Sequence, residues 1–350
     1  MVAKVSNALA RLIAACAALV LLLAAVLYAS AGEAISPYLL IVVVWGGFYL
    51  LAEGGLSRLA HRARAGCKTQ VACVILRLLI ASSGGALALL SVGMAARYAI
   101  SSELQRKLDR ATVRDVDRQP GGHKVSFYST NKPELPRLIF IHGTPGHGGV
   151  FADYLLSPID GFESIAVDRP GFGHSADSGP VVSFEEQAKA LSGLLVQRQG
   201  KWPILIGHSL GGPIVARLAA DHPDKVRGIV ILAGSLDPSL EAPSWYNDVT
   251  SAPVVDLKMP DMYEVSNAEV AAANEQTRLL AAVLDRIRCP VEVVHGTADT
   301  LVPVANVEYI KRSLVNSPHI GLTLIDREGH GIHKLRGSEV RAAIVRLTQN

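Results

Sequence analysis

The chain has 350 residues, of which 49% are hydrophobic, and a formal net charge of +3. A net charge this small, dispersed along the chain, gives no basis for nucleic-acid binding. The four cysteines show no metal-type spacing, and only Cys289 lies beyond the first hundred residues. We therefore expect no metal, no cofactor and no disulfide within the C-terminal part.

Three long apolar segments occupy the first hundred residues. Residues 12–28 and 78–96 have the length that a membrane-spanning helix needs, and residues 35–55 reach it with their flanks. Lysine and arginine are concentrated before the first segment and between the second and third. By the positive-inside rule, the chain after Ala96 lies outside. We predict an integral membrane region in residues 1–100, in contact with the lipid bilayer, and a periplasmic or extracellular domain after it.

Alternatives to this topology remain open. The sequence Ala29–Ala31 resembles a signal-peptide cleavage site, so the first segment could be removed without changing the topology of the rest. The third segment is the weakest, and an interfacial position for it would leave the following domain in the cytoplasm. Buried core helices are a third interpretation, but three such stretches in a row are unusual for a soluble core.

Residues 101–350 alternate short apolar runs with helical patterns. Continuous apolar runs are typical of a parallel sheet that is buried on both faces. Repeated strand–helix units predict a doubly wound, mostly parallel α/β sheet, in which ligands bind beyond the carboxyl ends of the strands. The predicted strands are 137–143, 163–171, 203–206, 226–234, 290–296 and 319–326, and the predicted helices are 184–199, 211–220, 304–314 and 339–348.

The triplet Gly-His-Ser occurs twice, and its flanking residues distinguish the two copies. The second copy ends at Ser209, follows an apolar strand and opens a helix. Gly207 and Gly211 provide the small residues that a sharp strand–turn–helix needs on either side of a nucleophile, and His208 completes the motif. The first copy ends at Ser175 within turn-rich sequence and lacks the closing glycine. We predict Ser209 as the nucleophile and Ser175 as a loop residue.

A nucleophilic serine needs a base and a group that orients the base. On this architecture the expected chain order is serine, acid, histidine. Asp299 and His330 each follow a predicted strand, so both can reach Ser209 at the same edge of the sheet. Asp237 is a rival acid. His333 is a rival base, although we expect it on the surface of the final helix.

Two backbone N–H donors are needed to stabilise an oxyanion. The residue after the nucleophile, Leu210, provides one of them. The loop His142–Gly149, with the sequence HGTPGHGG, follows an early strand and offers Thr144 as the second donor. The glycines of this loop, including Gly143, let its backbone approach a substrate closely.

The motifs HGTPG, DRPGFGHS, GHSLGG, GTADTLVP and EGHG occur in this order between about residues 138 and 333. Together they resemble the α/β-hydrolase fold family, specifically its serine esterase and lipase-like members. The resemblance implies Ser209 as nucleophile, His330 as base and Asp299 as its partner, with Thr144 and Leu210 as oxyanion donors. It also implies a small cap inserted at about residues 237–284. The N-terminal membrane region departs from the family pattern.

These features predict a membrane-anchored serine hydrolase that cleaves carboxylic esters, with lipid-like esters a plausible class. Amide or peptide hydrolysis, carbon–carbon hydrolysis and acyl transfer use the same triad and remain alternatives. A non-catalytic binding module is a further alternative, which the intact Ser-Asp-His set disfavours. A transporter is disfavoured because the apolar segments contain no interior charge pair.

Overall fold

In a computed structural model of the chain, the described residues are 103–118, 123–241 and 261–349. The three predicted membrane spans, at 12–28, 35–55 and 78–96, therefore lie outside the described part. No helix among the described residues combines the length and the apolar character that crossing a bilayer would require. The compact unit considered below extends from Gln105 toward the C terminus.

An eight-stranded sheet forms the centre of this unit. Its strand order is β1-β2-β4-β3-β5-β6-β7-β8. The pairs β1–β2 and β2–β4 are antiparallel, and every other neighbouring pair is parallel. The predicted mostly parallel α/β sheet is confirmed. The strands are β1 (Val113–Arg118), β2 (Lys124–Ser129), β3 (Arg137–Ile141), β4 (Glu163–Asp168), β5 (Ile204–His208), β6 (Gly228–Leu232), β7 (Val291–Gly296) and β8 (Ile320–Ile325).

Helices cover both faces of the sheet. Along β3, Ile139 and Ile141 contribute to one buried apolar cluster, whereas Leu138 and Phe140 contribute to a second. This alternation follows from the two-residue period of a strand. Residues 103–111 are also helical. The labelled helices are α1 (Ala152–Leu156), α2 (Phe184–Leu191), α3 (Gly211–Asp221), α4 (Asp261–Ala281), α5 (Asn306–Ser313), α6 (Ile332–Leu335) and α7 (Gly337–Thr348).

The helix predicted over 184–199 is shorter than expected. It ends at Leu191, and a 3-10 turn over Ser192–Leu194 follows it. Gln199 and Gly200 have φ angles of +51° and +73°, which a right-handed helix does not accommodate. The end of the predicted segment is therefore a turn.

The strands β1 and β2 and the helix α4 are not among the predicted elements. The helix α4 lies between β6 and β7, within the segment predicted as a cap at about residues 237–284. Residues 242–260 of that segment lie outside the described part. The cap and its extent therefore stay a prediction.

Candidate active site

Ser209 lies at a strained turn between β5 and α3. Its φ angle is +54°, in the left-handed region that residues with a side chain rarely adopt. A Cβ atom added to Gly207 would lie 2.2 Å from the Gly211 carbonyl oxygen. A Cβ atom added to Gly211 would lie 2.2 Å from the carbonyl oxygen of Ile141. The backbone therefore leaves no room for a larger residue at either position, as a nucleophile elbow requires.

Asp299 and His330 form a hydrogen-bonded pair at the carboxyl edge of the sheet. His330 Nδ1 lies 2.8 Å from Asp299 Oδ2, while Asp299 Oδ1 accepts hydrogen bonds from the N–H groups of Leu301 and Val302, both at 2.9 Å. Burial would raise the pKa of Asp299, but the hydrogen bonds from His330, Val302 and Leu301 outweigh burial and lower it. Asp299 is therefore a carboxylate at neutral pH, and it favours the His330 tautomer that carries hydrogen on Nδ1.

His208 connects this pair to the elbow. Its ring lies 4.8 Å, centroid to centroid, from the His330 ring, and its Nε2 donates to the His330 carbonyl oxygen at 3.0 Å. Burial, followed by the nearby His333 and His330, lowers the pKa of His208 well below its usual value, so the ring is neutral. These contacts place the His330 ring against His208, the residue that directly precedes Ser209.

The predicted oxyanion loop packs directly against Ser209. A Cβ atom added to Gly143 would lie 2.7 Å from Ser209 Cβ and 3.2 Å from Ser209 Oγ. The carbonyl oxygen of Gly143 points toward His142 and Arg169: it lies 2.7 Å from His142 Nδ1 and 3.0 Å from Arg169 Nη2. In a trans peptide the N–H lies opposite the carbonyl, so the N–H of Thr144 points away from His142 and Arg169.

His142 acts as a fixed, neutral hydrogen-bonding group within this loop. Its Nε2 accepts a hydrogen bond from the N–H of Arg169 at 3.1 Å, which leaves Nδ1 as the donor to Gly143. Complete burial, together with the charge of Arg169, lowers the pKa of His142 far below its usual value. Leu210, the other predicted donor residue, is buried and directly precedes α3.

The two rival residues, Asp237 and His333, lie in different surroundings. The Asp237 carboxylate accepts hydrogen bonds from the N–H and hydroxyl of Ser239 and lies 3.4 Å from Arg312, and it is not paired with His330. The expectation of a surface position for His333 was wrong. Its ring is buried and lies 3.8 Å, centroid to centroid, from the His208 ring. The reason is that His333 belongs to the short helix α6, which packs inward before the final helix α7 begins.

Ser175 has a structural role in the connection between β4 and α2. It lies in a 3-10 helix over Gly173–Ser178 and is fully buried. Its hydroxyl donates to the Asp168 carbonyl oxygen at 2.8 Å and accepts from the N–H of Ser126, also at 2.8 Å. The first bond ties this segment to the end of β4, and the second ties it to the neighbouring strand β2.

Two charged residues beside the site were not identified from the sequence. Arg169 is fully buried directly after β4, and Glu269 of α4 pairs with it. Arg169 could have been noticed in the sequence because it is a charged residue directly after a buried strand. Nothing in the sequence links it to Glu269, which is 100 residues away. Among the described residues, no group of three histidine, cysteine or acidic side chains is arranged to hold a metal ion.

The sheet order, the strained serine turn and the adjacent histidine–aspartate pair define an alpha/beta hydrolase fold. The family described as alpha/beta hydrolase fold matches residues 136–263. A membrane phospholipase A of known structure superposes with a TM-score of 0.53 at 17% identity, covering 79% of this chain and 99% of that one. At this identity the likeness supports the fold alone.

Two curated relatives of the chain are named for different substrates. The chain is similar to pimeloyl-[acyl-carrier protein] methyl ester esterase of Nitrosomonas europaea, with 24% identity over 231 residues, 56% of this chain and 88% of the relative. It is also similar to 2-(acetamidomethylene)succinate hydrolase of Mesorhizobium japonicum, with 29% identity over 126 residues. That second match covers 35% of this chain and 45% of the relative, which is less than half of its length.

Proposed function

We propose that this protein is a serine hydrolase that cleaves carboxylic esters through an acyl-enzyme intermediate. The observation that carries the proposal is the 2.8 Å contact between His330 and Asp299, with His330 packed against His208, which directly precedes a serine in a strained strand–helix turn. In the proposed reaction, His330 Nε2 takes the proton of Ser209 while Oγ attacks the ester carbonyl carbon. Asp299 holds the His330 tautomer and stabilises the imidazolium that forms.

The tetrahedral intermediate would be stabilised by the N–H groups of Thr144 and Leu210. The orientation of the Gly143 carbonyl supports this assignment, since it directs the Thr144 N–H away from Arg169. His330 then gives its proton to the leaving alcohol, and the carbon–oxygen bond to that alcohol breaks. Water, activated by His330, attacks the acyl-enzyme in the second half of the reaction and releases the acid.

The comparisons favour an ester as the bond cleaved. The Nitrosomonas relative, which the chain covers over 88% of its length, is a methyl ester esterase. Amide hydrolysis, carbon–carbon hydrolysis and acyl transfer would use the same triad, so only a substrate panel separates them. We propose small or lipid-like carboxylic esters as the substrate class.

Covalent labelling of the full chain tests the nucleophile. A fluorophosphonate probe is expected to label the wild-type protein, and Ser209→Ala is expected to lose both labelling and hydrolysis of short p-nitrophenyl esters. Loss of a triad nucleophile reduces kcat by about 10⁶-fold in a well-studied serine protease, and we expect a comparable loss here. The matched control is Ser175→Ala, in the other Gly-His-Ser triplet, which should still be labelled. Labelling of Ser209→Ala at the wild-type rate would refute the assignment.

We also propose that residues 12–28, 35–55 and 78–96 anchor the enzyme in a bilayer, with the hydrolase domain on the outer side. The length of these segments and the distribution of lysine and arginine around them support this placement. A lipid-like substrate would then be available near the enzyme without crossing the membrane.

A reporter fusion in a bacterial host tests this topology. A reporter enzyme that is active only outside the cytoplasm is expected to be active when fused to the C terminus of the full chain. The same reporter fused after residue 68, in the basic loop predicted to be cytoplasmic, should be inactive. An inactive C-terminal fusion at normal expression would overturn the outward-facing arrangement.

A further inference from the structure

Arg169 is the largest fully buried side chain in the described part of the molecule, and its guanidinium touches the oxyanion loop. Nη2 donates to the carbonyl oxygen of Gly143 at 3.0 Å, and the guanidinium carbon lies 4.7 Å from the centre of the Phe172 ring. The main chain of Arg169 also binds His142. Arg169 therefore holds the loop in two ways, through its side chain and through its backbone.

Glu269 of helix α4 holds the other side of the same guanidinium. Its two carboxylate oxygens accept from Arg169 Nη1 at 2.5 Å and from Nη2 at 3.0 Å. Gln187 of α2 completes the group, since its Oε1 accepts from Arg169 Nη1 at 2.6 Å and its Nε2 donates to Glu269 Oε1 at 2.7 Å. Glu269 is 1% exposed, so the ion pair is withdrawn from solvent.

Stability alone is a poor explanation for such a pair. Removing two charges from water costs several kcal/mol per ion, and apolar side chains of similar volume often stabilise a protein equally well or better. What the charged pair provides is direction, because a bidentate arginine–carboxylate contact fixes the plane of the guanidinium. With that plane fixed by Glu269, Arg169 Nη2 is aimed at the Gly143 carbonyl oxygen.

We propose that Glu269 and Arg169 are positioning residues for the oxyanion hole, through which helix α4 sets the orientation of the Gly143–Thr144 peptide. Rotation of this peptide would turn the Thr144 N–H away from the position where the oxyanion develops. The inference rests on the proposed function, since it requires Thr144 to be an oxyanion donor. It adds that helix α4, between β6 and β7, contributes to catalysis through Glu269.

The substitution Glu269→Gln tests whether Glu269, through Arg169, sets the orientation of the Gly143–Thr144 peptide. The oxygen that accepts two hydrogen bonds, Oε1, is expected to remain an oxygen in glutamine, which places the new NH₂ group where Oε2 stood. That NH₂ faces Arg169 Nη2, a donor, so it repels the nitrogen that binds Gly143. The shorter variant Glu269→Asp keeps the charge but retracts the carboxylate by one methylene, so it tests the geometry if the glutamine variant folds poorly.

Three measurements on the full chain separate positioning from general damage: kcat, KM and inhibition by a trifluoromethyl ketone. This inhibitor forms a tetrahedral alkoxide on the nucleophilic serine, so its affinity reports the oxyanion hole. For Glu269→Gln we expect kcat to fall about 10–100-fold, less than the 10²–10³-fold cost of losing a donor outright. KM should change by no more than about 2-fold, and the inhibition constant should rise by the same factor as kcat/KM falls. Glu269→Asp should lie between wild type and glutamine.

Glu163→Gln is the matched control. Glu163 is another buried carboxylate, and it accepts from Arg137, Arg198 and Ser129 at the opposite end of β4. The variant Glu163→Gln should lower the temperature of unfolding, and the ratio of its inhibition constant to its KM should be that of the wild type. An unchanged kcat in folded Glu269 variants would overturn the proposal, as would a fall in kcat with no change in inhibitor affinity. A wild-type protein that neither cleaves esters nor binds the inhibitor would overturn the proposed function, and this inference with it.

Discussion

Replacing Asp299 by asparagine is expected to lower kcat about 10⁴-fold while the protein stays folded, as the equivalent change does in a serine protease. The hydrogen bonds around Asp299 allow the side chain of the introduced asparagine one orientation only. Oδ1 of Asp299 accepts from the N–H groups of Leu301 and Val302, both at 2.9 Å. The asparagine oxygen must remain there, because an NH₂ group would face two donors.

The NH₂ group of the introduced asparagine would then occupy the position of Oδ2 and face His330 Nδ1. It can only donate to that nitrogen, so His330 would carry its hydrogen on Nε2. In this tautomer Nε2 cannot accept the proton of Ser209, and the base is lost although the geometry is unchanged. The carboxylate of Asp299 should therefore be dispensable for folding and for the shape of the pocket.

Steady-state kinetics on a p-nitrophenyl ester, with circular dichroism to check folding, would measure the effect. The matched control is Asp237→Asn, since Asp237 binds Ser239 and Arg312 and does not contact His330. We expect this control to change kcat by no more than about 3-fold, because its carboxylate takes no part in the proposed proton transfer. A large loss in Asp237→Asn together with a small loss in Asp299→Asn would reassign the acid.

Acidification is expected to destabilise the fold steeply below about pH 6.5. Burial lowers the pKa of His142 and of His208 well below the ordinary value, and burial, with Lys334 and His330 nearby, lowers the pKa of His333 to about 3. In the unfolded chain the same imidazoles titrate near 6.5. Below that pH the unfolded chain binds more protons than the folded one, so the free energy of unfolding falls as the pH falls.

Each histidine that stays neutral in the fold contributes a slope of about 1.4 kcal/mol per pH unit, and the three together about 4 kcal/mol per pH unit. This contribution is fully present above the unfolded pKa. It is lost progressively between about pH 6.5 and the folded pKa, which for His333 is about 3. A domain with an ordinary stability of about 5–15 kcal/mol would unfold on acidification well before its carboxylates are all protonated.

The variant His333→Phe tests the origin of this slope. Nδ1 of His333 makes no hydrogen bond with the described residues, and its ring packs against the rings of His208 and Phe151, so phenylalanine should fit. Urea unfolding of the full chain between pH 5 and 8 is expected to show, below about pH 6.5, a slope that is smaller in the variant by about 1.4 kcal/mol per pH unit, since the contribution of one histidine is removed. Above the range where histidine titrates, the two proteins should differ by a constant amount. An equal slope in both proteins would show that His333 is protonated in the fold.

Much of the candidate site could be predicted because its signals are local. The elbow at Ser209 requires an apolar strand before it and two glycines around it, and all of these lie within a few residues of one another. Asp299 and His330 could be proposed because each directly follows a strand of the same parallel sheet. Parallel strands place their carboxyl ends at one edge of the sheet. Two residues that each follow such a strand are therefore expected at that same edge.

Other features of the structure could not be predicted from local sequence signals. Its position directly after a strand favours His330 over His333, but the burial of His333 depends on the inward packing of α6. The strands β1 and β2 were missed because their residues, on the antiparallel side of the sheet, do not form the long apolar runs of the buried strands. The helix predicted to extend to residue 199 ends at Leu191, where a 3-10 turn begins.

Short-range rules were enough to derive the α/β architecture, the strained serine and the edge of the sheet where the chemistry would be placed. These rules are strand periodicity, small residues around a sharp turn, and the direction of parallel strands. Packing in three dimensions selected the acid that faces His330, and it joined Arg169 to Glu269 across 100 residues of chain. Such pairs could not be derived from the sequence because a hydrogen bond between side chains depends on distance and direction in space, which sequence separation does not specify.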